Sequence, residues 1–270
     1  MIRCSLHNHT YYCDGKSAPE EYVLKALAQG LDTVGFSEHS PFPWEPEAGM
    51  GTTAVTAYRQ EVLSLREKYK GRIQVALGLE QDILSPPPAK GWDYVIGSVH
   101  YVESEGRLYG VDISPEDQAR SIEEGFGGDP RAFADCYFRT VAQVVEKTDC
   151  DIIGHLDLLV KYNETAPRFD TKSVWYRRMV SDTLDALLPA DRIFEINAGA
   201  MNRGLRSLPY PGEWTLREMN RRGARITLAS DAHEAENVDG GFSRMAAYAK
   251  ACGYHTAWVL GKNGWKEETL

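Results

Sequence analysis

Short β-branched segments alternate with amphipathic helical segments along almost the whole of this chain of 270 residues. Such alternation predicts βαβ units that share one parallel sheet. Seven or eight units in a chain of this length favour a closed α/β barrel over a doubly wound sheet, because such barrels commonly have roughly 250 residues. The predicted strands are residues 3–9, 33–39, 73–83, 94–102, 151–158, 192–199, 225–233 and 256–260.

The segments between these strands divide into predicted helices and predicted loops. The helical patterns are PEEYVLKALAQGL, AVTAYRQEVLSLREKYKG, PRAFADCYFRTVAQVVEKT, TKSVWYRRMVSDTLDALLP and GEWTLREMNRRGA. Residues 40–53 and 102–130 are rich in proline, glycine and charge, so we interpret them as long loops that follow strands. Since no stretch is typical of an interdomain linker, we predict a single domain over residues 1–270.

The composition, 43% hydrophobic and 26% charged, is typical of a globular protein. No apolar run approaches the roughly 20 residues that span a bilayer. The first residues lack the regions of a signal peptide, so we expect a cytoplasmic protein without a membrane partner. The five cysteines form no C-x-x-C pair, and their odd number argues against a disulfide framework.

The formal net charge of −9 disfavours binding to nucleic acid polymers, which such a surface repels at long range. A small anionic substrate stays compatible with this charge if the site supplies its own positive charge. Bound cations can provide that charge locally. The sequence leaves the oligomeric state open.

Histidines cluster at the ends of the predicted strands. The chain has seven histidines, and six of them lie at or near the C-terminal end of a strand. In α/β barrels these strand ends carry the active site, so we expect the six imidazoles to converge on one rim. The six are His7, His9, His39, His100, His155 and His233.

Three acidic residues accompany these histidines. Glu80 ends the apolar run of LGLE, where an unpaired carboxylate would be costly to bury. Asp231 precedes His233 by two residues, the same spacing that separates His7 from His9, and Asp14 follows the first strand. An ion pair for Glu80 or a helix cap for Asp231 is the alternative interpretation of each acid by itself.

Together these nine side chains offer nitrogen and oxygen ligands without a thiolate. A set of this size can hold two or three divalent ions, with a carboxylate as the bridge. Imidazole and carboxylate ligands suit zinc, manganese or iron, and nothing in the sequence separates these metals.

The ordered motifs H-x-H-T, S-E-H, G-L-E, G-S-V-H, G-H-L-D and S-D-A-H closely resemble the PHP family, named for polymerase and histidinol phosphatase. The resemblance implies an α/β fold, a distorted (β/α)7 TIM-like barrel, with a trinuclear metal site at the C-terminal strand ends. It assigns one ion to His7, His9, Glu80 and Asp231. Glu80 would bridge to a second ion on His100 and His155, and His39 and His233 would serve a third.

The chain departs from the family pattern in one loop. Many members carry a histidine after H-x-H-T-x-x-C, where this chain has Asp14 and Gly15. Because an aspartate can also bind a metal, we take Asp14 as the substitute ligand.

The function that follows is hydrolysis of a phosphate monoester by attack of a metal-bound hydroxide. Lys161 lies three residues past the predicted strand 151–158, and Arg203 follows the sixth strand, so both can reach the rim as phosphate contacts. Solvated surface charge is the alternative for each. We name Asp231 and His233 as candidate general acids that protonate the leaving alkoxide.

The resemblance is closest to the histidinol-phosphate phosphatase branch, through GSVHYV and GHLDLLVKY. A phosphoesterase for nucleotides or nucleoside bisphosphates is the second hypothesis, and a non-catalytic metal-stabilised module is the third. The long loops would read the alcohol half of the ester, with Trp44, Tyr101 and Tyr109 as candidate aromatic walls. A Cys-x5-Arg loop, a P-loop and a G-x-S-x-G elbow are absent from the sequence.

Overall fold

The computed structural model of the protein describes residues 2–45, 47–51 and 53–270. Within these ranges the chain forms eleven strands: β1 (Cys4–Ser5), β2 (Thr33–Phe36), β3 (Gln74–Asp82), β4 (Tyr94–Ser98), β5 (Tyr101–Ser104), β6 (Arg107–Gly110), β7 (Ile152–Ile153), β8 (Ile193–Asn197), β9 (Arg225–Ala229), β10 (Thr256–Gly261) and β11 (Gly264–Thr269). The α-helices of the same ranges are α1 (Pro19–Ala28), α2 (Ala54–Lys68), α3 (Pro115–Phe126), α4 (Pro130–Val141), α5 (Val144–Thr148), α6 (Val174–Leu187), α7 (Gly199–Asn202), α8 (Glu213–Arg221) and α9 (Phe242–Ala251).

Seven of the described strands form one parallel sheet in the order β1-β2-β3-β4-β7-β8-β9. The two ends of this sheet meet just beyond the last residues of β1 and β9. There the His9 amide donates to the Ala232 carbonyl over 2.8 Å, and the Ala232 amide donates to the His7 carbonyl over 3.2 Å. These bonds close the sheet, so the predicted α/β barrel of seven strands is confirmed.

Helices cover the barrel because its strands are apolar on both faces, as parallel strands buried on two sides usually are. On one side α1 and α2 pack through Tyr22, Val23, Tyr58 and Val62 against β2 and β3. A larger apolar cluster joins α4, α6, α8 and α9 to β4, β7, β8 and β9. Because the strands pack on the helices through apolar side chains, polar side chains are expected at the strand ends.

The interpretation of residues 102–130 as one long loop was wrong. Strands β5 and β6 form an antiparallel hairpin whose turn places Glu105 and Gly106 at φ values of 50° and 76°. Positive φ at both central residues is what a two-residue hairpin turn of type I′ requires. Helix α3 then begins after Ser114, whose hydroxyl accepts from the Asp117 amide over 3.0 Å. In this segment Pro115 begins helix α3 and Gly106 lies in the hairpin turn, so neither residue marks a long loop. Residues 40–45, 47–51 and 53 contain turns and form no strand or helix.

The C-terminal region also differs from the prediction. Helix α9 is missing from the predicted elements, and the segment TAWVL belongs to β10, which pairs with β11 in a hairpin outside the barrel sheet. Several barrel strands are shorter than predicted, so their histidines follow the strands instead of ending them. No helix among the described residues is long and apolar enough to cross a bilayer.

Candidate metal centre

The predicted ligands all lie at the C-terminal end of the barrel. Most follow the last paired residue of a strand by a few positions, while Glu80 lies within β3. The structure thereby brings together all nine side chains that the sequence nominated: His7, His9, Asp14, His39, Glu80, His100, His155, Asp231 and His233.

The carboxylate of Glu80 lies at the centre of this group. Its Oε2 atom is 2.8 Å from His39 Nδ1, 3.4 Å from His7 Nε2 and 3.5 Å from His9 Nε2. Its Oε1 atom is 3.1 Å from His155 Nε2 and 3.4 Å from His100 Nε2. One carboxylate oxygen thus faces three imidazoles and the other faces two, which is the arrangement of a bridging ligand.

A second group of ligand atoms surrounds Asp14. Its Oδ1 atom is 3.7 Å from His39 Nε2, and its Oδ2 atom is 3.1 Å from His233 Nε2. Single ligand atoms of Asp14, His9, His39 and His233 all lie within 4.8 Å of one another. Asp231 lies between the two groups, with Oδ1 3.4 Å from His9 Nε2 and 3.6 Å from His233 Nδ1.

Four buried polar atoms of this cluster form no hydrogen bond with any described residue: His7 Nε2, His9 Nε2, His39 Nδ1 and Glu80 Oε2. A buried polar group without a partner is costly, so such atoms usually satisfy a bound ligand or water. The three imidazole nitrogens each lie within 3.5 Å of Glu80 Oε2. This donor set fits divalent cations.

At His9 and Glu80, electrostatics favour the protonation states that metal binding needs. Burial and the neighbouring charges of His39 and His233 lower the pKa of His9 to about 3, so this imidazole is neutral. Burial by itself would raise the pKa of Glu80, but His7, His39 and His100 together hold it well below its usual value. A neutral imidazole beside an ionised carboxylate is the form that coordinates a metal.

The comparisons with known proteins agree with this geometry. A profile of the family described as "PHP domain" matches residues 5–199. The chain belongs to the PHP domain family. The matched range contains the candidate ligands from the first strand to His155, while Asp231 and His233 lie beyond it.

Two relatives and one solved structure are similar to this PHP domain over most of their length. A "Probable histidinol-phosphatase" of Deinococcus radiodurans is 30% identical, over 87% of this chain and 88% of its own. One of the same name from Schizosaccharomyces pombe is 26% identical, over 96% and 89%. The crystal structure of histidinol phosphate phosphatase from Lactococcus lactis, complexed with zinc, L-histidinol and phosphate, shares 22% identity and covers 98% of each chain with a TM-score of 0.67. The last likeness confirms the barrel fold.

Several residues of this PHP domain lie behind the candidate ligands and orient them. Sequence reasoning missed these residues. Glu195 on β8 lies with Oε1 2.7 Å from His7 Nδ1, and Asn197 donates to its other oxygen over 2.9 Å. Asp82 Oδ2 lies 3.2 Å from His100 Nδ1, and Ser98 donates to Glu80 Oε1 over 2.6 Å. Carboxylates in this position fix the orientation of a metal-bound imidazole. An acid inside an apolar strand was the sequence signal that identified Glu80. Glu195 has the same signal, which could have identified it too.

The loop after β1 supplies another supporting contact. Cys13 Sγ lies 3.5 Å from His9 Nδ1 and donates to Glu38 Oε2 over 2.8 Å. Burial, Glu38 and Asp14 raise the pKa of this thiol well above its usual value. Cys13 is therefore a protonated thiol that packs behind His9.

Two cations line the cavity of about 220 Å³ that opens above the ligands. Lys161 Nζ donates to Asp112 Oδ2 over 2.7 Å, and Arg203 Nη1 lies 3.2 Å from His233 Nδ1. Arg203 Nη2 is also 3.7 Å from Asp231 Oδ2. Both predicted phosphate contacts therefore lie at the rim of the cluster, in position to face an anion.

Gly199 makes room for the Asp231 carboxylate. A Cβ atom at position 199 would lie 2.2 Å from Asp231 Oδ2, a distance that no side chain tolerates. Asp231 itself has a φ of 48°, a conformation that is uncommon for residues other than glycine and occurs often at functional sites. The backbone around Asp231 is thus shaped to present its carboxylate to the cluster.

Proposed function

We propose that this protein is a metal-dependent phosphomonoesterase that hydrolyses L-histidinol phosphate to L-histidinol and phosphate. The observation that carries this proposal is the Glu80 carboxylate faced by five imidazoles, with Lys161 and Arg203 beside it in one cavity. The relatives named histidinol-phosphatase, and the neighbour complexed with zinc, L-histidinol and phosphate, support the choice of substrate.

We assign the candidate ligands to two or three divalent ions. His7, His9 and Asp231 would hold one ion together with Glu80, and His100 and His155 would hold a second through the other oxygen of Glu80. The group of Asp14, His39 and His233 would hold a third. The neighbour's zinc supports zinc here, and manganese or iron would use the same nitrogen and oxygen atoms.

Divalent ions held by these residues would lower the pKa of a water molecule and neutralise charge on the phosphoryl oxygens. The chain's own cations extend that neutralisation. Lys161 presents Nζ to the cavity while Asp112 holds it in place. Arg203, held near Asp231 and His233, presents a planar guanidinium, which suits phosphate oxygens.

A proton must reach the oxygen of the departing alcohol. Asp231 and His233 remain our two candidates for its donor, because both lie at the edge of the cluster beside Arg203. Burial by itself would raise the pKa of Asp231, but His7 and Arg203 hold it well below its usual value, so Asp231 would first have to take up the proton that the attacking water loses. A donor at this edge can reach the ester oxygen while the phosphoryl oxygens face the ligands. A cytoplasmic location is part of this proposal, as expected for an enzyme that makes a free amino alcohol from a small soluble ester.

The test of this function compares phosphate esters with the purified, metal-loaded protein. We expect kcat/KM for L-histidinol phosphate to exceed that for adenosine monophosphate and for nucleoside bisphosphates. Metal analysis should find two or three divalent ions per chain. Faster turnover of nucleotides would favour the alternative nucleotide phosphoesterase, and bound metal without any phosphatase activity would favour a non-catalytic module.

A further inference from the structure

Three aromatic rings stand beside the candidate metal centre and belong to none of its ligands. Phe42 and Trp44 stack with ring centroids 5.6 Å apart, and Tyr101 meets them edge-on at 5.7 and 5.5 Å. Phe42 also lies 5.6 Å from the ring of His39 and 6.0 Å from that of His100. This aromatic group (Phe42, Trp44 and Tyr101) therefore continues directly from the metal ligands towards the mouth of the site.

A carboxylate completes the aromatic group. The hydroxyl of Tyr101 donates to Glu45 Oε2. No lysine, arginine or histidine in the described ranges forms an ion pair with Glu45. Burial and the negative charges of Asp112 and Glu47 raise the pKa of Glu45. Glu45 thus contributes negative charge that the described part of the protein does not balance.

The aromatic faces are likewise free of cations from the described ranges. Seven cation–π contacts occur among the described residues, and none uses Phe42, Trp44 or Tyr101. Aromatic rings attract organic cations through their electron-rich faces, and the neighbouring carboxylate of Glu45 adds a negative charge. The group therefore has the chemistry of a receptor for a cation.

The cavity above the metal ligands leads into this receptor. It shares Glu45, Tyr101 and Ile113 with a neighbouring cavity of about 480 Å³ that the β5–β6 hairpin and α3 also line. Two arginines of the described residues line the second cavity. Arg120 is paired with Asp117, and Arg107 forms no ion pair with Glu45. An ester with phosphate at the ligands can extend its alcohol half past Glu45 into this space.

We propose that Glu45 binds a cationic amine of the substrate alcohol, and that Phe42, Trp44 and Tyr101 pack against its ring. This subsite selects phosphate monoesters of cationic amino alcohols over esters of neutral alcohols. The inference rests on the proposed phosphatase function and specifies which half of L-histidinol phosphate each part of the site recognises. Lys161 and Arg203 face the phosphate, whereas Glu45 and the rings face the alcohol.

The test measures kcat/KM for three monoesters: L-histidinol phosphate, phosphoethanolamine and glycerol 3-phosphate. Glu45→Gln removes the charge and keeps the shape. It should lower kcat/KM about 10- to 100-fold for the two cationic esters, the usual range for a lost hydrogen bond to a charged group. The value for glycerol 3-phosphate should stay within about twofold of wild type, because that alcohol carries no charge for Glu45 to bind.

Three further variants sharpen the result. Glu47→Gln, an exposed neighbour in the same loop, should leave all three values unchanged. Glu45→Asp keeps the charge and should retain part of the preference for cationic esters. Trp44→Leu should reduce kcat/KM for L-histidinol phosphate more than for phosphoethanolamine, which has no ring. Circular dichroism of each variant controls for folding.

The outcomes separate this inference from the proposed function. An equal loss on all three esters in Glu45→Gln, or no loss on any, overturns the subsite. A wild-type preference for glycerol 3-phosphate also overturns it. Wild-type protein that favours phosphoethanolamine yet ignores L-histidinol phosphate refutes the proposed substrate and supports the cation subsite. Wild-type protein that hydrolyses none of the esters refutes both.

Discussion

Polar side chains at the two rims of the barrel have different kinds of hydrogen-bond partner. At the N-terminal rim, polar groups pair with backbone atoms that the strands leave unpaired. Asp151 accepts from the Val95 amide over 2.9 Å, Asp93 accepts from the Leu77 amide over 2.7 Å, and Thr33 donates to the Leu260 carbonyl over 2.9 Å. Each of these contacts ties a strand end to its neighbour.

At the C-terminal rim, polar side chains face one another instead. His7 Nε2, His9 Nε2, His39 Nδ1 and Glu80 Oε2 are buried without a hydrogen bond to any described residue. The N-terminal side chains form hydrogen bonds with the backbone. These four atoms form none with the described residues, so they remain available to coordinate cations. The rim where these polar atoms lack a partner among the described residues is the rim that carries the active site in α/β barrels.

The largest effect should follow from Glu80→Gln. The amide keeps the size of the side chain but removes the charge that faces five imidazoles, so the two proposed ion positions would lose their shared ligand. We expect loss of bound metal and a fall in kcat/KM beyond the ~100-fold that a lost outer partner of a ligand costs. Elemental analysis and the phosphatase assay measure both quantities.

The control for this variant is Glu67→Gln, an exposed glutamate on α2. It should keep full metal content and activity. A Glu80→Gln protein with the metal content of wild type would contradict the assignment of Glu80 as the bridge, and with it the contrast between the two rims.

A smaller effect is expected from Glu195→Gln, which acts through His7. Burial by itself would lower the pKa of His7, but Glu195, Glu80 and Asp231 raise it well above its usual value. Without the Glu195 charge, the contact that orients the His7 ring becomes a weaker, uncharged hydrogen bond. Metal affinity should fall about 10- to 100-fold, the range for such supporting carboxylates.

Competition with a chelator of known affinity measures that change. Because the amide oxygen of the introduced side chain can still accept a hydrogen bond from His7, the folded structure should persist, with an unchanged circular dichroism spectrum. An unaltered metal affinity would show that the 2.7 Å contact between Glu195 and His7 does not support the metal centre.

At the opposite rim, Asp151→Ala should affect stability alone. The change leaves the Val95 amide without its acceptor, and an unsatisfied buried donor costs about 1–3 kcal/mol. The free energy of unfolding, measured by denaturant titration of the metal-loaded protein, should fall by that amount while the metal content stays that of wild type. Loss of metal from this variant would show that the rims are not independent.

Much of the contrast between the rims could be predicted from the sequence. The rule that barrel sites lie at C-terminal strand ends located the six histidines on one rim, and an acid in an apolar strand identified Glu80. Glu195 carried the same signal in IFEIN, but no histidine or metal motif adjoined it. Its role depends on contact with His7 across 188 residues of sequence.

Asp112 and Glu45 were beyond sequence reasoning for a different reason. Both lie in segments rich in proline, glycine and charge that we interpreted as loops, and their partners come from other elements. Asp112 meets Lys161 only because the β5–β6 hairpin and α3 fold back over the site. The contacts of Asp112 and Glu45 depend on tertiary packing, which the local sequence pattern does not indicate.

The smallest effect should come from Thr33→Val at the N-terminal rim. The hydroxyl of buried Thr33 on β2 donates to the Leu260 carbonyl of β10, which holds the C-terminal hairpin against the barrel. Valine keeps the branched shape but loses that bond, so unfolding free energy should fall by about 1 kcal/mol. Hydrogen exchange should locate the loss in β10 and β11, with kcat/KM unchanged. A drop in activity without a change in exchange would mean that this rim takes part in catalysis, and the division of labour between the rims would fail.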